Sequence, residues 1–202
     1  MTYRPSFDEK YVTCLADIRD RSFAGKTEIL GAELAGDGLR LPFFNRQLIF
    51  SSAGVHAADG ETLTIAVKLA LCRYLAMCPD RIVNSAHRLI TFRELSDSGP
   101  LFSSFTANTN KIIESAFSGR LDLLRARCQM VGGHDIQMPA FDLSMQFMAF
   151  PRIPVTFTFN DADDIMPATA NFLYDETADR YLDIECLMVT CTYLTGLLIQ
   201  GT

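Results

Sequence analysis

Between Phe150 and Asp175 the chain reads FPRIPVTFTFNDADDIMPATANFLYD, and the side chains best suited to chemistry crowd its middle. Asp161, Asp163 and Asp164 stand close together, with the amide of Asn160 beside them and the carboxylate of Asp175 one strand later. Oxygen donors at that density suit magnesium or calcium, because hard cations prefer carboxylates and carbonyls. A divalent cation is therefore the one cofactor the pattern could serve, and no other is evident. The spacing is not that of an EF-hand: no glycine stands at the sixth position and no Glu closes at the twelfth. The same residues also suit a solvated hairpin loop, since Asp side chains readily accept from nearby backbone N–H groups. That plainer reading is the favoured one.

Arg93, Glu94 and Arg152 make a second set. Both arginines interrupt apolar sequence, where a guanidinium needs a carboxylate from the chain or from a ligand. In the internal version, which is favoured, Arg93 or Arg152 pairs with a loop aspartate and pins the hairpin. In the external version Arg93, Glu94, Arg152 and Asp175 line a pocket for a small anion.

Other chemistries find little support. Gly132-Gly133-His134-Asp135 lacks the Lys-Ser or Lys-Thr of a phosphate loop, so it reads as a tight reversal that side chains would block. No G-x-S-x-G occurs. The six cysteines (14, 72, 78, 128, 186 and 191) include no CxxC pair, and the three histidines are isolated, which argues against zinc or iron–sulfur ligation. Catalytic residues are not identified.

The elements that must position these side chains follow from periodicity. Ser6 and Glu9 form a capping box ahead of a helix whose stripe is Phe7, Tyr11, Cys14, Leu15 and Ile18. Residues 28 to 60 read as a strand meander with a hairpin turn at Asn45-Arg46. Glu61 to Cys78 is apolar on most of its circumference, so it should be a central helix, ended by Pro79. Leu89 to Leu95 reads as a strand carrying Arg93 and Glu94, Ser96 to Pro100 as a loop, Thr106 to Ser118 and Leu121 to Met130 as helices. Phe141 to Ala149 alternates cleanly and should pair with Val155 to Phe159, a half-buried strand, which should pair in turn with Thr169 to Tyr174. Asp183 to Ile199 closes the chain as a helix. The expected fold class is α+β: a mostly antiparallel sheet (early meander plus C-terminal hairpins) packed with about five helices. No linker or repeat interrupts it, so one domain over residues 1–202 is expected.

Apolar residues make up 49% of the 202 and charged residues 21%, which is globular composition. The net charge of -6 and the lack of any basic cluster argue against nucleic acid and against anionic membranes. The longest uncharged apolar run, Cys186 to Ile199, is too short to span a bilayer. The first residues have no signal-peptide core, and the cysteines suit a reducing compartment, so the expected location is the cytoplasm.

Several stretches together resemble the bacterial and archaeal family called domain of unknown function 3786. They are LPFFNRQLIF with the turns ending at Asp59-Gly60, LALCRYL, TFREL at Thr91 to Leu95, Gly132-Gly133, PRIPV at Pro151 to Val155, and DADDIMPATANFLYD followed by Tyr181-Leu182. The resemblance covers about Leu39 to Ile199. The acidic loop departs from it: the family often places an aromatic before the acidic cluster and Glu-Phe within it, where Asn160 and Asp164-Ile165 stand here. The resemblance implies no activity, since the family has none assigned. Some members lie beside a four-cysteine iron–sulfur segment, often in anaerobes; this chain has no such segment, so only a metabolic setting is implied. The expected role is a non-catalytic binding or interaction module for an unknown protein partner or a small anionic ligand. The alternatives are a magnesium- or calcium-dependent enzyme using the acidic loop, and a structural homo-oligomer component.

Overall fold

A computed structural model describes residues 5–85 and 87–201. The capping box forms: Ser6 Oγ accepts from the Glu9 N–H at 3.3 Å, the Glu9 carboxylate accepts from the Ser6 N–H at 2.7 Å, and helix α1 (Phe7–Ile18) begins there. A single turn, α2 (Thr27–Leu30), leads into an antiparallel meander of β1 (Glu33–Ala35), β2 (Gly38–Phe43), β3 (Arg46–Ser51) and β4 (Gly54–Ala57). The β2–β3 turn falls on Phe44 and Asn45, one position before the expected pair, with Phe44 at φ +51° and Phe43 opposite Arg46. That places Arg46 on a strand, from which its guanidinium pairs with Asp59 at 2.8 and 3.1 Å.

Helix α3 (Ile65–Ala76) is capped by Thr64 and buried along most of its length, as its sequence requires. It packs against α1 and against the last helix, α7 (Ile184–Gln200). The intervening chain forms β5 (Leu89–Thr91), α4 (Gly99–Asn108), α5 (Asn110–Phe117), α6 (Leu121–Met130), β6 (His134–Asp135), β7 (Leu143–Phe150), β8 (Ile153–Asn160) and β9 (Thr169–Asp175). The second sheet runs β5-β9-β8-β7-β6, antiparallel throughout, so the fold is α+β with two sheets.

Three local expectations are corrected. The strand expected from Leu89 to Leu95 stops at Thr91, because Glu94 folds back on Thr91 and winds Phe92–Glu94 into a 3-10 turn. The loop expected at Ser96 to Pro100 is already α4 from Gly99, with Pro100 in its first turn, where a missing N–H costs nothing. The helix expected over Thr106 to Ser118 is broken at Thr109 (φ -130°, ψ -84°) into α4 and α5. In addition, β8 is buried on both faces. Thr156 and Thr158 are 1% and 0% exposed, since β8 is the central strand and Thr156 sits in register between Gln146 and Leu173.

The buried apolar residues of both sheets form one cluster. The sheets meet where the Phe44 N–H donates to Met148 O at 3.0 Å and the Phe43 and Phe150 rings lie 4.9 Å apart. Tyr74 of α3 stacks on Phe150 at 4.7 Å and donates its hydroxyl to Leu30 O at 2.9 Å.

Candidate functional site

The early end of β5 creates the cleft of interest. The β5–β9 ladder finishes at Thr91 opposite Leu173, so from Phe172 back to Thr169 β9 is paired with β8 on one side and, among the described residues, has no strand on the other. Glu94 makes this happen: its carboxylate accepts from the Thr91 N–H at 2.8 Å and the Thr91 hydroxyl at 2.9 Å. Those bonds, the backbone one first, hold the exposed Glu94 carboxyl below the usual carboxylate range. The chain then turns away, and α4 and α5 fold around the space it leaves. The result is a cavity of about 400 Å³ bounded by the 3-10 turn, α4, α5 and β9.

Its walls are chemically divided. Phe92 and Phe105 stack in parallel with centroids 4.0 Å apart, and Phe172 meets Phe105 edge-on at 6.3 Å. These buried rings form an apolar floor. At the rim Arg93 lies over Phe102, its guanidinium carbon 5.4 Å from the ring centroid. Among the described residues no carboxylate forms an ion pair with Arg93. Across the cleft, Lys111 pairs with Glu114 at 2.6 Å. The other Glu114 oxygen accepts from the Ala170 N–H at 3.2 Å, and the Asn110 amide donates to Ala170 O at 2.7 Å. One positive charge, that of Arg93, is therefore left over on the cleft wall.

The remaining residues singled out in the sequence lie elsewhere. Arg152 does not pair with a loop aspartate. From the β7–β8 turn it donates to Ile29 O at 2.9 Å and Glu28 O at 2.7 Å, capping α2. Asp175 is buried at the end of β9, where it accepts from the Ser85 hydroxyl and from both the N–H (3.0 Å) and hydroxyl (2.6 Å) of Thr177. Asp161 accepts from the Gly119 N–H at 2.6 Å and the Ala162 N–H at 2.8 Å. Asp163 accepts from the Met166 N–H at 2.7 Å and the Ile165 N–H at 2.8 Å, bonds that hold its carboxyl below the ordinary value. Asp164 is exposed. Asp161 and Asp163 thus serve backbone donors, and among the described residues no three His, Cys, Asp or Glu side chains gather as a metal site.

Only Arg93 and, indirectly, Glu94 belong to the cleft. Phe102, Asn110, Lys111 and Glu114 were not singled out in the sequence. Asn110 and Glu114 are one helical turn apart, so their shared face was legible. That it would meet a strand edge was not. A second groove, of about 320 Å³, is lined by Phe7, Val67, Met188, Val189 and Tyr193, with no charged side chain among the described residues that line it. The six cysteines are free thiols, five of them buried. No helix among the described residues is long and apolar enough to cross a membrane.

Comparison with known proteins adds a family. The family described as "Domain of unknown function (DUF3786)" matches residues 23–196, most of the chain. No curated protein and no solved structure matches it.

Proposed function

We propose that this chain, which belongs to the DUF3786 family, is a non-catalytic binding module that takes a small anion in the cleft beside β9. The observation that carries the reading is Arg93: a guanidinium on a cavity wall, held against Phe102, with no carboxylate paired to it among the described residues. A planar fork of that kind is suited to bidentate capture of an anion. The cavity volume of about 400 Å³ falls within the usual span of small-molecule sites. The buried free thiols fit a reducing compartment, so the proposed setting is cytoplasmic metabolism.

A thermal-shift screen of small anions, followed by calorimetry, tests this. A ligand at a hundred times its dissociation constant adds about 2.7 kcal/mol of stability. For a chain of this length that corresponds to a rise of roughly 5–10 °C in Tm. Arg93→Ala should abolish the shift while leaving the unliganded Tm nearly unchanged. A variant that binds as well as the natural chain, or chemical turnover of the ligand during incubation, would sink the proposal.

A further inference from the structure

The charge and shape of the cleft narrow the ligand further, and the narrowing rests on the binding reading above. We infer that the cleft takes a monocarboxylic acid with a flat apolar body, its carboxylate on Arg93 and its body over the phenyl floor. Charge sets the first half. Lys111 is neutralised by Glu114, and Glu114 is fixed in turn by the Ala170 N–H, so among the described residues lining the cleft Arg93 is the one uncompensated charge. A single negative charge balances it; a dianion would leave one charge unmatched close to the Glu114 carboxylate.

Geometry agrees with a carboxylate. The Arg93 guanidinium lies over the Phe102 ring, and among the described residues its N–H groups have no hydrogen-bond partner, so they are available to a carboxylate, which binds a guanidinium with two parallel hydrogen bonds. The first turn of α5 brings Asn110 and Lys111 to the same cleft, and the positive end of a helix adds modestly to the attraction.

The floor sets the second half. The Phe92 and Phe105 rings stack face to face, parallel within 4°, with Phe172 edge-on to Phe105, so this wall of the cleft is aromatic and offers no hydrogen-bond partner. Aromatic ligands favour such surfaces through offset or edge contacts. At ~30 Å³ for each water-sized volume, a cavity of about 400 Å³ holds roughly a dozen non-hydrogen atoms. That is the size of an aryl ring carrying a short acid chain.

Calorimetry with four probes separates the possibilities: 3-phenylpropionate, its neutral amide 3-phenylpropanamide, acetate and inorganic phosphate. The expected result is binding of 3-phenylpropionate, with affinity at least tenfold weaker for the other three. Arg93→Ala should lower the affinity for 3-phenylpropionate at least tenfold, and Phe102→Ala severalfold, with circular dichroism confirming that both variants fold. Acetate or phosphate binding as tightly as 3-phenylpropionate, with loss in Arg93→Ala, would overturn the inferred class and leave anion binding standing. Amide binding equal to the acid, or no binding of any probe at millimolar concentration, would overturn both.

Discussion

At Asp175 burial and hydrogen bonding pull in opposite directions. Burial alone would push the carboxyl up, yet the Ser85 hydroxyl and the two Thr177 donors hold it below the usual carboxylate value. A depressed acid stabilises the fold above its unfolded value, near 3.9, and that stabilisation is lost as pH falls through the lower folded value. Asp175→Asn should therefore cost about 1–3 kcal/mol at neutral pH. Urea denaturation should show the difference from the natural chain shrinking below about pH 3.9. The two arginines divide in the same way between stability and binding. Arg152→Ala removes both caps on α2 and should cost about 1–3 kcal/mol with no effect on ligand affinity. Arg93→Ala should change stability by no more than about 0.5 kcal/mol and should affect ligand affinity instead.

Among the elements, the α6–β6 connection depends on two glycines for different reasons. Gly132 lies at φ +86°, and a Cβ there would make only ordinary contact with Asn45 at 3.5 Å, whereas a Cβ on Gly133 would stand 2.6 Å from the Phe147 ring and 2.8 Å from Cys128 O. Gly133→Ala should lower stability by about 1–3 kcal/mol through overpacking. Gly132→Ala should cost no more than ~1–2 kcal/mol, the price of a left-handed backbone; paired thermal melts compare them. That reversal was legible from Gly-Gly alone, and so were the capping box of α1, the α3 core and the β7–β8–β9 order, because each rests on local period or turn chemistry. The cleft was not legible. Arg93 stood out as a cation in apolar sequence, but its setting depends on where β5 stops and where α4 breaks. The break after α4 goes with a contact across the fold, Asn110 on Ala170; the end of β5 goes with a local one, Glu94 on Thr91, whose Thr-x-x-Glu capping pattern was present in the sequence and passed over. The acidic loop left two readings open for the converse reason, since spacing cannot tell carboxylates aimed at a cation from carboxylates bonded to backbone donors; Asp161 and Asp163 bond to backbone donors, the reading the sequence favoured.

Across the molecule, the aromatic contact of Phe43, Phe150 and Tyr74 joins the two sheets. We propose that they unfold as one unit. Phe150→Ala should cost about 3–5 kcal/mol, and fluorescence and circular dichroism transitions should still coincide; separate transitions would show two independent units. At the other end of the second sheet, Asn110 and Glu114 occupy the hydrogen-bonding positions of Ala170 that a neighbouring strand would otherwise take. Bare strand edges are templates on which other chains assemble. These two side chains therefore act as a plug against self-recruitment, and replacing both with alanine should make the protein prone to aggregate on storage, even where the folded monomer loses little stability.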